Sequence, residues 1–191
     1  MRAGRPIRLL AAVVLAALAA PPAGAWPRPE VHGAVGRSFL IAGDVGEGGF
    51  VFGAAAMWPA GRRWALGIEA TAEDMGSDLE TIYAPGTDFD LGTTEEMHRA
   101  IYGAAARAEW RPPAWRRWEP VVSATLGGYE VRDDVRGDKV ASEGAVGAGL
   151  GAGVRRAVAR HVTLGAEARL RRVFDDRAKG WLAAGLTVGW R

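Results

Sequence analysis

The chain has 191 residues, with 24 basic and 22 acidic side chains, three histidines and no cysteine. That length suffices for one domain with its own core, and the missing cysteines exclude a disulfide framework. After the N-terminal leader, no stretch approaches the roughly 20 consecutive apolar residues of a membrane-spanning helix.

The chain opens as a processing segment. Arg2, Arg5 and Arg8 precede an apolar run at 9–20, which is too short to span a bilayer, and Ala23-Gly24-Ala25 supplies a small-residue cleavage site. Residues 1–25 are expected to be a cleaved signal peptide, and 26–191 a single domain. The leader removes three arginines and no acid, leaving 21 basic against 22 acidic residues. The apparent basicity therefore belongs to the leader, and nucleic acid is not an implied partner.

Eight strand-like runs follow, at 31–42, 49–58, 64–75, 98–110, 119–131, 143–155, 162–174 and 180–190. Most are 10 to 13 residues long, enough for a tilted membrane strand, which needs about 9 to 11, where soluble strands average about five or six. The first two have a blurred phase, because Phe39, Ile41, Val51 and Met57 put apolar groups on both sides. From the third onward the alternation is clean. Trp64, Leu66, Ile68, Ala70 and Ala72 oppose Gly67, Glu69, Thr71 and Glu73. Ala100, Tyr102, Ala104, Ala106, Ala108 and Trp110 oppose Arg99, Gly103, Arg107 and Glu109. Val122, Ala124 and Leu126 oppose Ser123, Thr125 and Tyr129; the valines, leucine and alanines of 146–154 oppose a row of glycines. In the seventh run Glu167, Arg169 and Arg171 share one side, and in the last Leu182, Ala184, Leu186, Val188 and Trp190 share the other. A period of two with one apolar face is the signature of a strand, whereas helical spacing would scatter these charges over both faces.

The connections at 59–63, 111–118 and 156–161 are short or medium, and the longest, 76–97, falls where an outer loop belongs in an up-and-down meander. Trp58, Trp64, Trp110, Trp118 and Trp190 sit at strand ends that would form one ring, an interfacial aromatic girdle. These features specify an all-β fold: an eight-stranded antiparallel up-and-down transmembrane β-barrel.

The leader, the eight alternating runs and the terminal strand resemble the small bacterial outer-membrane β-barrels of the OmpA/OmpX-like type. GAGLGAGVRRAVARHVTLGAEARLRR, residues 147–172, is similar to the penultimate hairpin of that family. Gly185-x-x-Val188-x-Trp190 is similar to its terminal assembly signal, although Arg191 follows the aromatic that usually ends the chain and Ala183 stands where a polar residue is common. The resemblance implies residence in the outer membrane, contact with lipopolysaccharide and membrane lipid, recognition by the barrel-assembly machinery and a monomeric state, with no cofactor.

A barrel of this size is filled by its own side chains. The inward charges Glu69, Glu73, Arg107, Glu167, Arg169 and Arg171 carry both signs, and buried charges must be paired, so these six are expected to form a lumen ion-pair network. Asp78, Glu80, Asp88, Asp90, Glu95 and Glu96 crowd the segment 76–97, which holds no basic residue. Clustered oxygens suit hard cations, so this outer loop is a candidate cation-binding segment, though it lacks EF-hand spacing. The expected function is a non-enzymatic barrel that supports envelope integrity or surface interaction. One alternative is an exported soluble barrel holding a small apolar ligand. The other is a lipid A-modifying hydrolase, for which His98 and Ser77 are the only outer-rim pair and no nucleophile motif is present.

Overall fold

The computed structural model describes residues 28–42, 48–82, 93–135, 138–174 and 180–191, with backbone alone at 40, 42, 77–82, 93–97, 135 and 138–141. The leader therefore lies outside the described residues.

Eight strands run in chain order: β1 (Glu30–Ala42), β2 (Phe50–Pro59), β3 (Trp64–Ile82), β4 (Thr93–Trp110), β5 (Glu119–Val135), β6 (Asp138–Ala157), β7 (Val162–Phe174) and β8 (Gly180–Trp190). Each pairs antiparallel with the next, and β1 closes on β8 from Val31↔Trp190 to Ala42↔Gly180. Closure satisfies every sheet edge, which hydrocarbon requires because no water is there to bond a free N–H or C=O.

Two strand pairs are longer than their alternation suggests. β3 and β4 pair as far as Ile82↔Thr93, and β5 and β6 as far as Val135↔Asp138, so much of the presumed long loop at 76–97 is a hairpin. At 17 to 20 residues these strands exceed what a crossing needs, and they project beyond the membrane. The apolar alternation stops where lipid stops, whereas the hydrogen-bonded ladder continues into water. A bulge between Asp74 and Ser77 marks the transition on β3, where Gly76 adopts φ 81° and donates its N–H to Asp74 Oδ1 at 2.8 Å.

The phase of β1 and β2 is also resolved. Phe39 and Ile41 face outward, 45% and 59% exposed, while Val51 and Met57 are buried inside. Outward rows such as Leu126, Leu150, Leu164, Leu170, Leu186 and Val188 stay exposed around the barrel. A continuous apolar belt of this extent is what lipid, not water, accommodates.

Inside, an apolar layer lies in the outer half of the lumen, with the Arg99–Asp133 pair beyond it. Met75, Ile101, Tyr129, Val173 and Trp181 form one buried cluster, with the Tyr129 and Trp181 rings edge to face at 6.2 Å and 85°. Each large apolar side chain buried here contributes roughly 2–3 kcal/mol. Tyr129 fits because glycine flanks it on both neighbouring strands: a Cβ on Gly103 would stand 2.5 Å from its ring, and one on Gly147 2.8 Å. A smaller cluster of Ala55, Met57 and Ala65 lies toward the end that carries the chain termini.

Candidate functional site

Below the apolar cluster the lumen is ionic. Strand alternation sends Glu69, Thr71 and Glu73 inward from β3, Arg107 and Glu109 from β4, Arg155 from β6, and Glu167, Arg169 and Arg171 from β7. Arg107 is the hub. Its Nη2 donates to Glu167 Oε1 at 2.7 Å and Oε2 at 2.9 Å, its Nε donates to Glu109 Oε1 at 3.0 Å, and its Nη1 donates to Glu69 Oε2. Arg169 bridges Glu69 at 2.6 Å and Glu167 at 2.9 Å. Arg171 reaches Glu69, Glu73 and, at 3.1 Å, the Thr71 hydroxyl. Arg155 grips Glu109 with two bonds, 2.7 and 2.9 Å. Ser123 Oγ donates to Glu167 at 2.8 Å, and the Trp181 indole donates to Glu73 Oε2, joining the ionic layer to the apolar one. Glu69, Glu73, Glu109 and Glu167 thus face four guanidinium groups, so this layer is neutral as a whole.

All six charged residues singled out in the sequence lie in this lattice. Glu109 and Arg155 were not among them, although both continue the inward phase of their strands. Trp181 shares that phase too, but a period of two does not distinguish an indole that fills space from one that also donates a bond.

The end bearing the termini is closed by a second set of pairs. Arg111 donates to Glu30 at 2.7 and 3.1 Å and to Glu109 at 3.2 Å. Arg191 stands 3.3 Å from Glu30 and donates to both Glu119 carboxylate oxygens, at 2.5 and 3.3 Å, and its backbone N–H donates to the His161 carbonyl at 3.0 Å. The extra residue after Trp190 therefore ties β8 to the rim. No sequence signal marks Arg111 as a lumen group, because it belongs to a turn.

Around this rim Trp64 pairs directly with Trp110, Trp58 pairs with Leu66, Trp190 pairs with both Val31 and Val162, and Trp118 bridges Trp115. The indoles of Trp64, Trp110, Trp115, Trp118 and Trp190 are 38–69% exposed. At the opposite end, Glu80 pairs with Glu95 and Leu79 with Glu96 in the backbone ladder. The side chains of Asp78, Glu80, Glu95 and Glu96 lie outside the described residues, as do Asp88 and Asp90 altogether. His98 faces outward with Nε2 3.0 Å from Asp74 Oδ1, and the Ser77 side chain also lies outside the described residues. Among the described residues no group of three or more potential ligands is placed to hold a metal.

A cavity beside His32, Glu69, Arg107 and Thr187 measures about 10 Å³, room for about one water.

Residues 9–191 match the family described as outer membrane protein beta-barrel domain. Among solved structures, the chain is similar to Neisserial surface protein A, with 19% identity over 84% of this chain and 96% of that one and a TM-score of 0.62. The N-terminal β-barrel domain of Pseudomonas aeruginosa OprF matches at 14% identity, 87% and 98% coverage and a TM-score of 0.52. Yersinia pestis Ail, solved with the heparin analogue sucrose octasulfate, matches at 11% identity, 86% and 100% coverage and a TM-score of 0.51. At these identities the likeness concerns fold. No curated protein matches the chain in sequence.

Proposed function

Because the chain belongs to the outer membrane protein β-barrel domain family, and so resides in the outer membrane, we propose that it is a non-enzymatic, non-conducting barrel that supports envelope integrity and presents its outer hairpins for surface interaction. The observation that carries this reading is the filled lumen. A neutral lattice of four glutamates and four arginines lies under an apolar layer, and the cavity beside it has room for about one water. Buried pairs of this kind fix register and geometry more than they add stability. The soluble, ligand-holding alternative fails on the apolar outer belt and the family match.

Surface interaction would run through the hairpins of β3–β4 and β5–β6. Segment 76–97 holds six acidic residues and no base, the wrong sign for a sulfated polyanion and the right one for cationic partners or for divalent ions at the lipopolysaccharide surface. We assign the chain a monomeric state, with membrane lipid and lipopolysaccharide as its surroundings and the barrel-assembly machinery as reader of β8. A hydrolase is disfavoured because no nucleophile motif accompanies the His98–Asp74 pair.

Planar-bilayer recording tests the proposal. The wild-type protein should show no discrete conductance steps, and cells lacking the chain should become more detergent-sensitive and recover on its return. A steady ionic current through the folded wild type, or new lipid A species on its expression, overturns it.

A further inference from the structure

The rim that carries the tryptophans also carries arginines that the lumen does not use. Arg62 and Arg63 are exposed in the β2–β3 turn, Arg116 and Arg117 in the β4–β5 turn, and Arg160 in the β6–β7 turn, with Arg156 half-buried beside it. None of them enters an ion pair among the described residues, in contrast to Arg107, Arg155, Arg169 and Arg171. The turns at 59–63, 111–118 and 156–161 contain no acid.

The β4–β5 turn is the most constructed of the three. Trp115-Arg116-Arg117-Trp118 is a two-residue hairpin tip: Trp115 donates to the Trp118 carbonyl at 2.9 Å, and Trp118 donates back at 3.1 Å. Arg116 holds φ at 60°, a left-handed conformation that favours glycine or asparagine and strains an arginine by about 1 kcal/mol or more. Its guanidinium carbon stands 5.5 Å from the Trp115 ring, and that of Arg156 stands 5.8 Å from the Trp118 ring. Glycine would adopt that backbone without strain, but it would leave no cation over the indole.

We infer that this arginine–tryptophan crown binds the phosphate groups of anionic phospholipid in the inner leaflet of the outer membrane. The indoles set the depth, since Trp settles at the headgroup level. Guanidinium groups stacked over exposed indoles are held at that same depth, where a phosphodiester accepts two parallel N–H bonds from each. The turns are too short to reach a partner far from the membrane surface. The sign separates phosphatidylglycerol, with its net charge, from zwitterionic phosphatidylethanolamine.

The folded protein, reconstituted in nanodiscs of mixed phosphatidylethanolamine and phosphatidylglycerol, tests this by native mass spectrometry of the lipids it retains. Phosphatidylglycerol should be enriched, and the enrichment should fall with salt. Neutralising Arg63, Arg116, Arg117 and Arg156 to glutamine should lower the preference by about fivefold per arginine where the charges act independently. The matching lysine variant should keep most of it. Circular dichroism and heat-dependent gel mobility show that each variant is folded, and the salt titration on wild type stands if one is not. Equal retention of the two lipids by wild type at low salt overturns the proposal. So does binding to peptidoglycan that the glutamine variant loses while wild type shows no phosphatidylglycerol preference.

Discussion

Arg107 on β4 and Glu167 on β7 meet across the lumen through one guanidinium nitrogen that donates to both carboxylate oxygens, at 2.7 and 2.9 Å. Their side chains are 1% and 4% exposed, so neither charge has water to fall back on. Removing Arg107 leaves Glu69, Glu109 and Glu167 each short of a partner. Arg107→Ala should lower the stability of the folded barrel by about 3 kcal/mol, read as a lower urea midpoint for loss of the heat-modifiable gel band. An unchanged midpoint would mean that the hub is dispensable. Arg107→Met combined with Glu167→Gln should lose less than the two single losses added together, because each change removes the partner that the other would strand.

Tyr129 and Gly103 make a steric prediction. A methyl group on Gly103 would meet the tyrosine ring at 2.5 Å, so Gly103→Ala alone should destabilise by roughly 1–3 kcal/mol. In a Tyr129→Leu background the same change should cost clearly less, with only the Thr71 hydroxyl at 3.1 Å left to shift. Equal penalties in both backgrounds would show that the ring is not what excludes the side chain.

Arg191 calls for a small effect. It is about one-third exposed and holds Glu119 and Glu30 at the mouth of the barrel. Its deletion should lower stability by less than about 1 kcal/mol, as for other solvent-facing pairs, with folding yield unchanged in urea-dilution refolding. A large drop in yield would make the residue part of the assembly signal.

The legible part of the fold was the part in contact with lipid. Trp64 to Ala72 and Leu164 to Leu170 alternate because one side meets hydrocarbon and the other the lumen, so their faces can be read directly from period two. β1 and β2 resisted that reading because Val51 and Met57 are apolar yet inward, filling the barrel. The outer ends of β3 to β6 escape it for a different reason: with water on the outside, nothing in the pattern of polarity reports the ladder. In the lattice, Glu69, Arg107 and Arg171 declare themselves as charges on a buried face. Which carboxylate each guanidinium takes depends on barrel closure, which brings together residues such as Arg107 and Glu167, 60 positions apart. Arg111 and Arg191 lie outside any alternating run, and only the folded rim reveals their partners.

Every member of the central ionic layer comes from β3, β4, β6 or β7, while the inward positions of β1, β2 and β8 along the seam include Ala34, Gly36, Gly53, Ala55, Ala183, Gly185 and Gly189. Gly36 lies directly opposite Gly185 where the first and last strands meet. A curved sheet of the five middle strands can thus neutralise its own interior before the ends of the chain find one another. The last step of assembly then brings no new charge to the central layer: β8 adds only the Trp181 indole over Glu73, and β1 adds Glu30 to Arg111 at the rim.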